Sequence, residues 1–167
     1  MPSHRDDEFD AFVTTDSPRL SRLAWVLAGS DGAADDLLQE ALLRTYGKWN
    51  AIGQRDIDAY QYTRRTMLNL TTDSLRGRAR RHLAETRWAS QRATSDQSKP
   101  SPQVAAADLV ARLTAHQRRV VTCRFLEDMS VRQTADELGI TENNVKVTTN
   151  RALAALRGVL TLEELHD

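Results

Sequence analysis

Asn143, Asn144, Lys146, Asn150 and Arg151 recur at the spacing of one helix face, with Val147 and Thr148 beside them. An asparagine amide can pair bidentately with an adenine edge, and lysine or arginine suits guanine or phosphate. Val147 and the Thr148 methyl could meet thymine methyls. Arg132 and Gln133 open the preceding helix, where a phosphate is well received. The chemistry implied is nucleic-acid reading. An ordinary helical hairpin with a solvated face stays open as the alternative.

Two further groupings carry charge. Arg64, Arg65, Arg76, Arg78, Arg80 and Arg81 could neutralise phosphates, which strengthens binding without reading sequence. Asp35, Asp36, Gln39 and Glu40 present acid beside an outward Leu43, for which a solvated face is the plain reading. Catalytic chemistry finds little support. His4, His82, His116 and His166 are scattered, Cys123 is the single cysteine, and no His/Cys/carboxylate set has ligand spacing. No catalytic residue, metal site or cofactor is expected.

The elements that must position these residues are all helical. Leu20, Leu23, Ala24 and Leu27 follow the i, i+3, i+4, i+7 pattern, in a helix that Pro18 is expected to break or restart. Gly29 and Gly32 bracket a turn that Ser30 or Asp31 can cap, and a second helix spans about 33–46. Gly47 stops it, and Trp49 and Ile52 follow in a short loop. Asp56 or Asp58 opens a third helix running to about residue 75, with Met67 and Leu70 in its buried stripe. Near the carboxy terminus, Ser130 caps a helix through Val131, Ala135 and Leu138. Gly139 ends it in a left-handed turn, Ile140 plugs the corner, and Thr141 starts a helix buried through Val145, Ala152, Leu153 and Leu156. This is the helix-turn-helix pattern, whose second helix commonly enters the major groove. Strand-like alternation is absent.

The chain of 167 residues has zero net charge, but the charge is segregated. Residues 1–43 hold nine acids against three arginines, and residues 60–94 hold eight arginines against two acids. One surface for a polyanion and another for a different partner would suit that distribution. Residues 93–107, ATSDQSKPSPQVAAA, read as a flexible linker. The expected fold class is therefore all-α: two small helical domains, 1–92 and 108–167, joined by the linker 93–107. The acidic amino terminus has no apolar run and no stretch is long enough to span a membrane, so a cytoplasmic protein without membrane insertion is expected.

LTAHQRRVVTCRFLEDMSVRQTADELGITENNVKVTTNRALAALR resembles the carboxy-terminal domain of extracytoplasmic-function (group IV) sigma factors of the sigma-70 family, matching at Leu113, Gln117, Arg118, Arg124, Phe125, Glu127, Ser130, Gly139, Val145, Lys146 and Arg151. DDLLQEALLRTYGKW resembles the same family's core-binding segment, at Asp36, Leu37, Gln39, Glu40, Leu43, Arg44 and Trp49. AYQYTRRTMLNLTTDSLRGRARR resembles its promoter-melting segment, at Tyr60, Arg65, Asn69, Asp73, Leu75, Arg76 and Arg78. The motif Arg-Arg-Thr-x-x-Asn suggests the actinobacterial branch. Thr114 stands where the family usually has proline, and Val147 where serine is common.

The resemblance implies a non-enzymatic subunit that binds core RNA polymerase and directs promoter recognition and opening. Asp35, Asp36, Gln39, Glu40 and Leu43 would meet the β′ clamp helices, and the second domain the β flap. Arg65, Asn69, Asp73, Arg76, Arg78, Arg80 and Arg81 would serve the melted −10 element, with Asn69 reading an unpaired base. Asn69 and Asp73 satisfying helix termini is the plainer alternative. Arg132, Gln133, Asn143, Asn144, Lys146, Val147, Thr148, Asn150 and Arg151 would face the −35 element. An anti-sigma partner is a further expectation. The rival reading is a stand-alone helix-turn-helix regulator, which needs no polymerase and leaves the acidic helix without a role.

Overall fold

The computed structural model describes the backbone of residues 4–85 and 102–164 and the side chains of residues 4–72, 106 and 108–158. The described backbone is helix, turn and loop throughout. The helices are α1 (His4–Ala28), α2 (Asp31–Gly47), α3 (Trp49–Gln54), α4 (Ala59–Glu85), α5 (Pro102–Arg112), α6 (Ala115–Val121), α7 (Val131–Leu138) and α8 (Glu142–Glu164). A π-helical segment, Thr122–Leu126, continues α6.

Helix α1 runs unbroken through Pro18, against the expected break. Proline removes one hydrogen bond from the ladder, but apolar contacts hold the helix on both sides of it. Phe9 and Phe12 pack with Trp49, and Leu20, Leu23 and Leu27 are almost fully buried. Each such leucine contributes about 2 kcal/mol of burial, enough to offset the defect. Ser30 is the N-cap of α2 but makes no side-chain cap bond, and Asp31 instead accepts from Trp25 Nε1 at 2.9 Å. The segment after Gly47, read as a loop, is the one-turn helix α3, because Trp49 and Ile52 turn inward together. Asp58, not Asp56, starts α4, its carboxylate accepting from the Gln61 amide at 2.9 Å. The backbone of α4 continues to Glu85, beyond the expected end near residue 75. Its buried stripe passes through Tyr60, Thr63, Met67 and Leu68, with Leu70 half-buried.

In the carboxy-terminal half the local signals act as read. Thr114 and Ser130 each close a capping box, with Gln117 and Gln133 respectively. Gly139 adopts φ 65°, where a Cβ would strain the backbone. The Asn144 amide donates to Thr141 Oγ1 at 3.1 Å at the head of α8. Helix α5 begins at Pro102, a residue whose missing N–H is harmless in a first turn, so its backbone starts inside the segment read as linker.

The two halves share one core. Leu20, Leu23 and Leu27 of α1, Ala41 of α2 and Met67 of α4 belong to the same buried cluster as Val120, Cys123, Leu138 and Val145.

Candidate nucleic-acid and partner interfaces

On α2, burial of Ala34, Ala41 and Thr45 turns Asp35, Asp36, Gln39, Glu40 and Leu43 to the outside. Leu43 is 63% exposed at the carboxy-terminal end of that face. Glu40 is steadied by Arg44, one turn on, at 2.7 Å. Beside the face lies a groove of about 390 Å³. Phe9, Leu42 and Tyr46 supply its apolar lining, and Asp6 and Asp10 add acid. The Tyr46 hydroxyl donates to Asp6, and that bond to a carboxylate raises the phenol above its ordinary range. Arg5 stacks 4.3 Å over the same ring. Sequence reasoning left Asp6, Phe9 and Asp10 out of this face. Their signal was available in the acids interleaved with Phe9 and Phe12 at helical spacing.

On α4, Arg65 and Asn69 are exposed side by side, one turn apart. Asp73, Arg76, Arg78, Arg80 and Arg81 lie on the backbone of the same helix, and their side chains fall outside the described residues.

At α8 the buried positions Val145, Thr148 and Ala152 dock the helix, leaving Asn143, Asn144, Lys146, Val147, Asn150 and Arg151 exposed. Thr148 departs from the reading of an outward methyl. It is 8% exposed, and its hydroxyl donates to Asn144 Oδ1 at 3.0 Å. The hydroxyl finds a partner one turn back, so the side chain can join the core edge without an orphaned polar atom. Arg132 and Gln133 are exposed at the start of α7. The Gln133 side-chain carbonyl accepts from the Ser130 amide at 2.8 Å, which leaves only its amide hydrogens to donate. His116 of α6 joins this surface, its Nε2 2.9 Å from Asn144 Oδ1. Sequence reasoning missed His116, which lies 28 residues away from its partner.

The family models "Sigma-70 region 2" and "Sigma-70, region 4" match residues 12–81 and 103–156. An RNA polymerase sigma-E factor of Streptomyces coelicolor is 35% identical over 158 residues, covering 95% of this chain and 89% of that protein. The chain belongs to the sigma-70 family. The ECF RNA polymerase sigma factor SigL of Mycobacterium tuberculosis is 34% identical over 152 residues, 87% of this chain and 84% of its own. The fold is similar to that of the sigma factor RpoE of Bartonella quintana, solved with the anti-sigma factor NepR (TM-score 0.67, 19% identity, 92% of this chain and 97% of that one). It is also similar to CnrH, solved with the cytosolic domain of CnrY (TM-score 0.56, 21% identity, 92% and 88%).

In sigma-70 terms, the contacts that join the two halves run between region 2 and region 4. The Glu127 side chain, 1% exposed, follows the π-helical segment, whose wider turn carries a 3.1 Å bond from the Glu127 amide to the Thr122 carbonyl. Its carboxylate accepts from Tyr60 at 2.7 Å, Arg64 at 2.9 Å and Arg19 at 3.2 Å. Arg19 lies 3.9 Å over the Tyr60 ring. Arg64 also faces Glu137 at 3.6 Å, so it is engaged here, contrary to the reading of Arg64 as a phosphate contact. Burial, followed by the bond to Glu127, pushes the Tyr60 hydroxyl well above its ordinary pKa. A second link caps α1: Arg118 donates to the carbonyls of Leu27 at 3.2 Å and Leu113 at 2.7 Å. Its guanidinium would lie only 3.0 Å from a Cβ at Gly29.

Proposed function

We propose that this sigma factor divides its work among three surfaces, each placed by a different helix. The acidic face of α2, with the groove beside it, docks on the β′ clamp helices of core RNA polymerase, and region 4 meets the β flap. Exposed Arg65 and Asn69, continued by the basic positions along α4, take the melted −10 strand. The outward face of α8 reads the −35 element, with Lys146 and Arg151 as its cations and Arg132 and Gln133 holding phosphate. The polymerase supplies the chemistry and this chain the address, working in the cytoplasm. Family membership and the solved complexes of similar fold support an anti-sigma partner.

The observation that carries this division is the solvent-facing Leu43 on the same exposed helix face as Asp35, Asp36, Gln39 and Glu40. An exposed leucine beside acids fits a partner with an apolar seat and a basic rim, while acids repel DNA. Asp36→Arg tests it. Association with core polymerase, followed by size-exclusion chromatography, is expected to weaken at least tenfold, with contacts to isolated promoter duplex unchanged. Equal loss of both would refute separate surfaces.

A further inference from the structure

Asn144 stands in the first turn of α8, its backbone amide satisfied by Thr141 Oγ1 at 3.1 Å. Its side-chain oxygen is also spoken for. Thr148 Oγ1 donates to it at 3.0 Å, and His116 Nε2 faces it at 2.9 Å. An amide oxygen carries no hydrogen, so the imidazole nitrogen that faces it is the protonated one. Both lone pairs of Oδ1 are thereby filled. The amide nitrogen, by contrast, has no hydrogen-bond partner among the described residues, and the residue is exposed.

An asparagine reads adenine by donating to N7 while accepting from the N6 amino group. Asn144 retains the first ability and has lost the second. Guanine shows two adjacent acceptors, N7 and O6, and is the base edge that a donor-only amide matches. Adenine would instead set its N6 hydrogens against those of Asn144. We infer that His116 and Thr148 hold Asn144 as a donor-only reader, which selects guanine over adenine at one base pair of the −35 element. Asn144 is then a specificity residue, and His116, from outside the helix-turn-helix, a positioning residue. The inference rests on the reading of α8 as the −35 helix.

The test uses the full chain with core polymerase and a promoter library randomised across the −35 element, each member linked to its own transcribed barcode, with transcripts sequenced at fixed salt. The unmodified protein is expected to favour guanine over adenine by about tenfold at one position, and Asn144→Ala to flatten that position alone. His116→Ala frees the oxygen, so the guanine-to-adenine ratio there falls towards one while other positions hold. His116→Gln keeps a donor and restores the ratio. A preference ratio is insensitive to how much of a variant is folded. The inference is overturned if the Asn144-dependent position prefers adenine, if no position depends on Asn144, or if His116→Ala leaves the ratio unchanged. No promoter-dependent transcript from any library member would overturn the sigma reading itself, and this inference with it.

Discussion

Cys123 sits fully buried in the π-helical segment, and removal from water pushes its thiol up from 9.0 to about 12. The thiolate is the reactive form, so a shift of that size lowers the reactive fraction at pH 8 by roughly a hundred- to a thousandfold. Because it is the only cysteine, one kinetic trace reads it cleanly. Modification by a disulfide reagent at pH 8 is expected to be slow in the native protein and fast in denaturant, and similar rates in both would contradict the burial. The sign for stability follows. The folded thiol keeps its proton above pH 9 where the unfolded one loses it, so this contribution is intact below pH 9 and fades as pH rises towards 12. At this scale the sequence was readable where one side chain decides alone: buried Val145 and Ala152 follow from apolar spacing. It was not readable where a partner decides. Thr148 turns inward, and Asn144 loses its acceptor, through contacts that local spacing does not encode.

Elements were legible wherever punctuation is local. Ser130, Thr114, Gly139 and Thr141 mark helix ends through bonds or dihedrals confined to four residues. Where tertiary packing overrides local preference, the reading failed. Pro18 is carried through by burial on both sides, Trp49 and Ile52 fold a loop into α3, and Arg64 turns from solvent to Glu127. These terms can be weighed by mutation. Nothing lies within 4 Å of a Cβ placed at Gly139, so Gly139→Ala costs only its left-handed strain, about 1–2 kcal/mol. Ser130→Ala loses the capping box, about 1 kcal/mol. Denaturant unfolding measures both, and a neutral Gly139→Ala would show that the turn has another geometry.

At the scale of the molecule, regions 2 and 4 are packed through Glu127 and Arg118. A compact chain of this length has a radius of gyration of about 15 Å. On the proposed reading α4 and α8 bind separate promoter elements, and parting the halves would let each reach its own. Glu127 is the contact to loosen. Glu127→Gln removes the anion shared by Arg64 and Arg19. Since Arg19 is largely exposed and contributes little, the cost is that of the buried Arg64 pair, about 3 kcal/mol. Small-angle scattering is expected to show a larger radius of gyration, and an unchanged one would mean that apolar burial alone holds the halves. The two-part charge pattern was visible in the sequence. The closure of one part upon the other was not, because the sequence offers no local trace of a contact between residues 60 and 127.

Reconstituted transcription separates a polymerase subunit from a stand-alone DNA reader. Core RNA polymerase alone should start at random, and adding the full chain should produce initiation at a defined promoter, lost with Asp36→Arg through failed core association and with Lys146→Ala through weakened promoter binding. Tight binding of the chain to promoter duplex, with neither core association nor promoter-dependent initiation, would contradict the account.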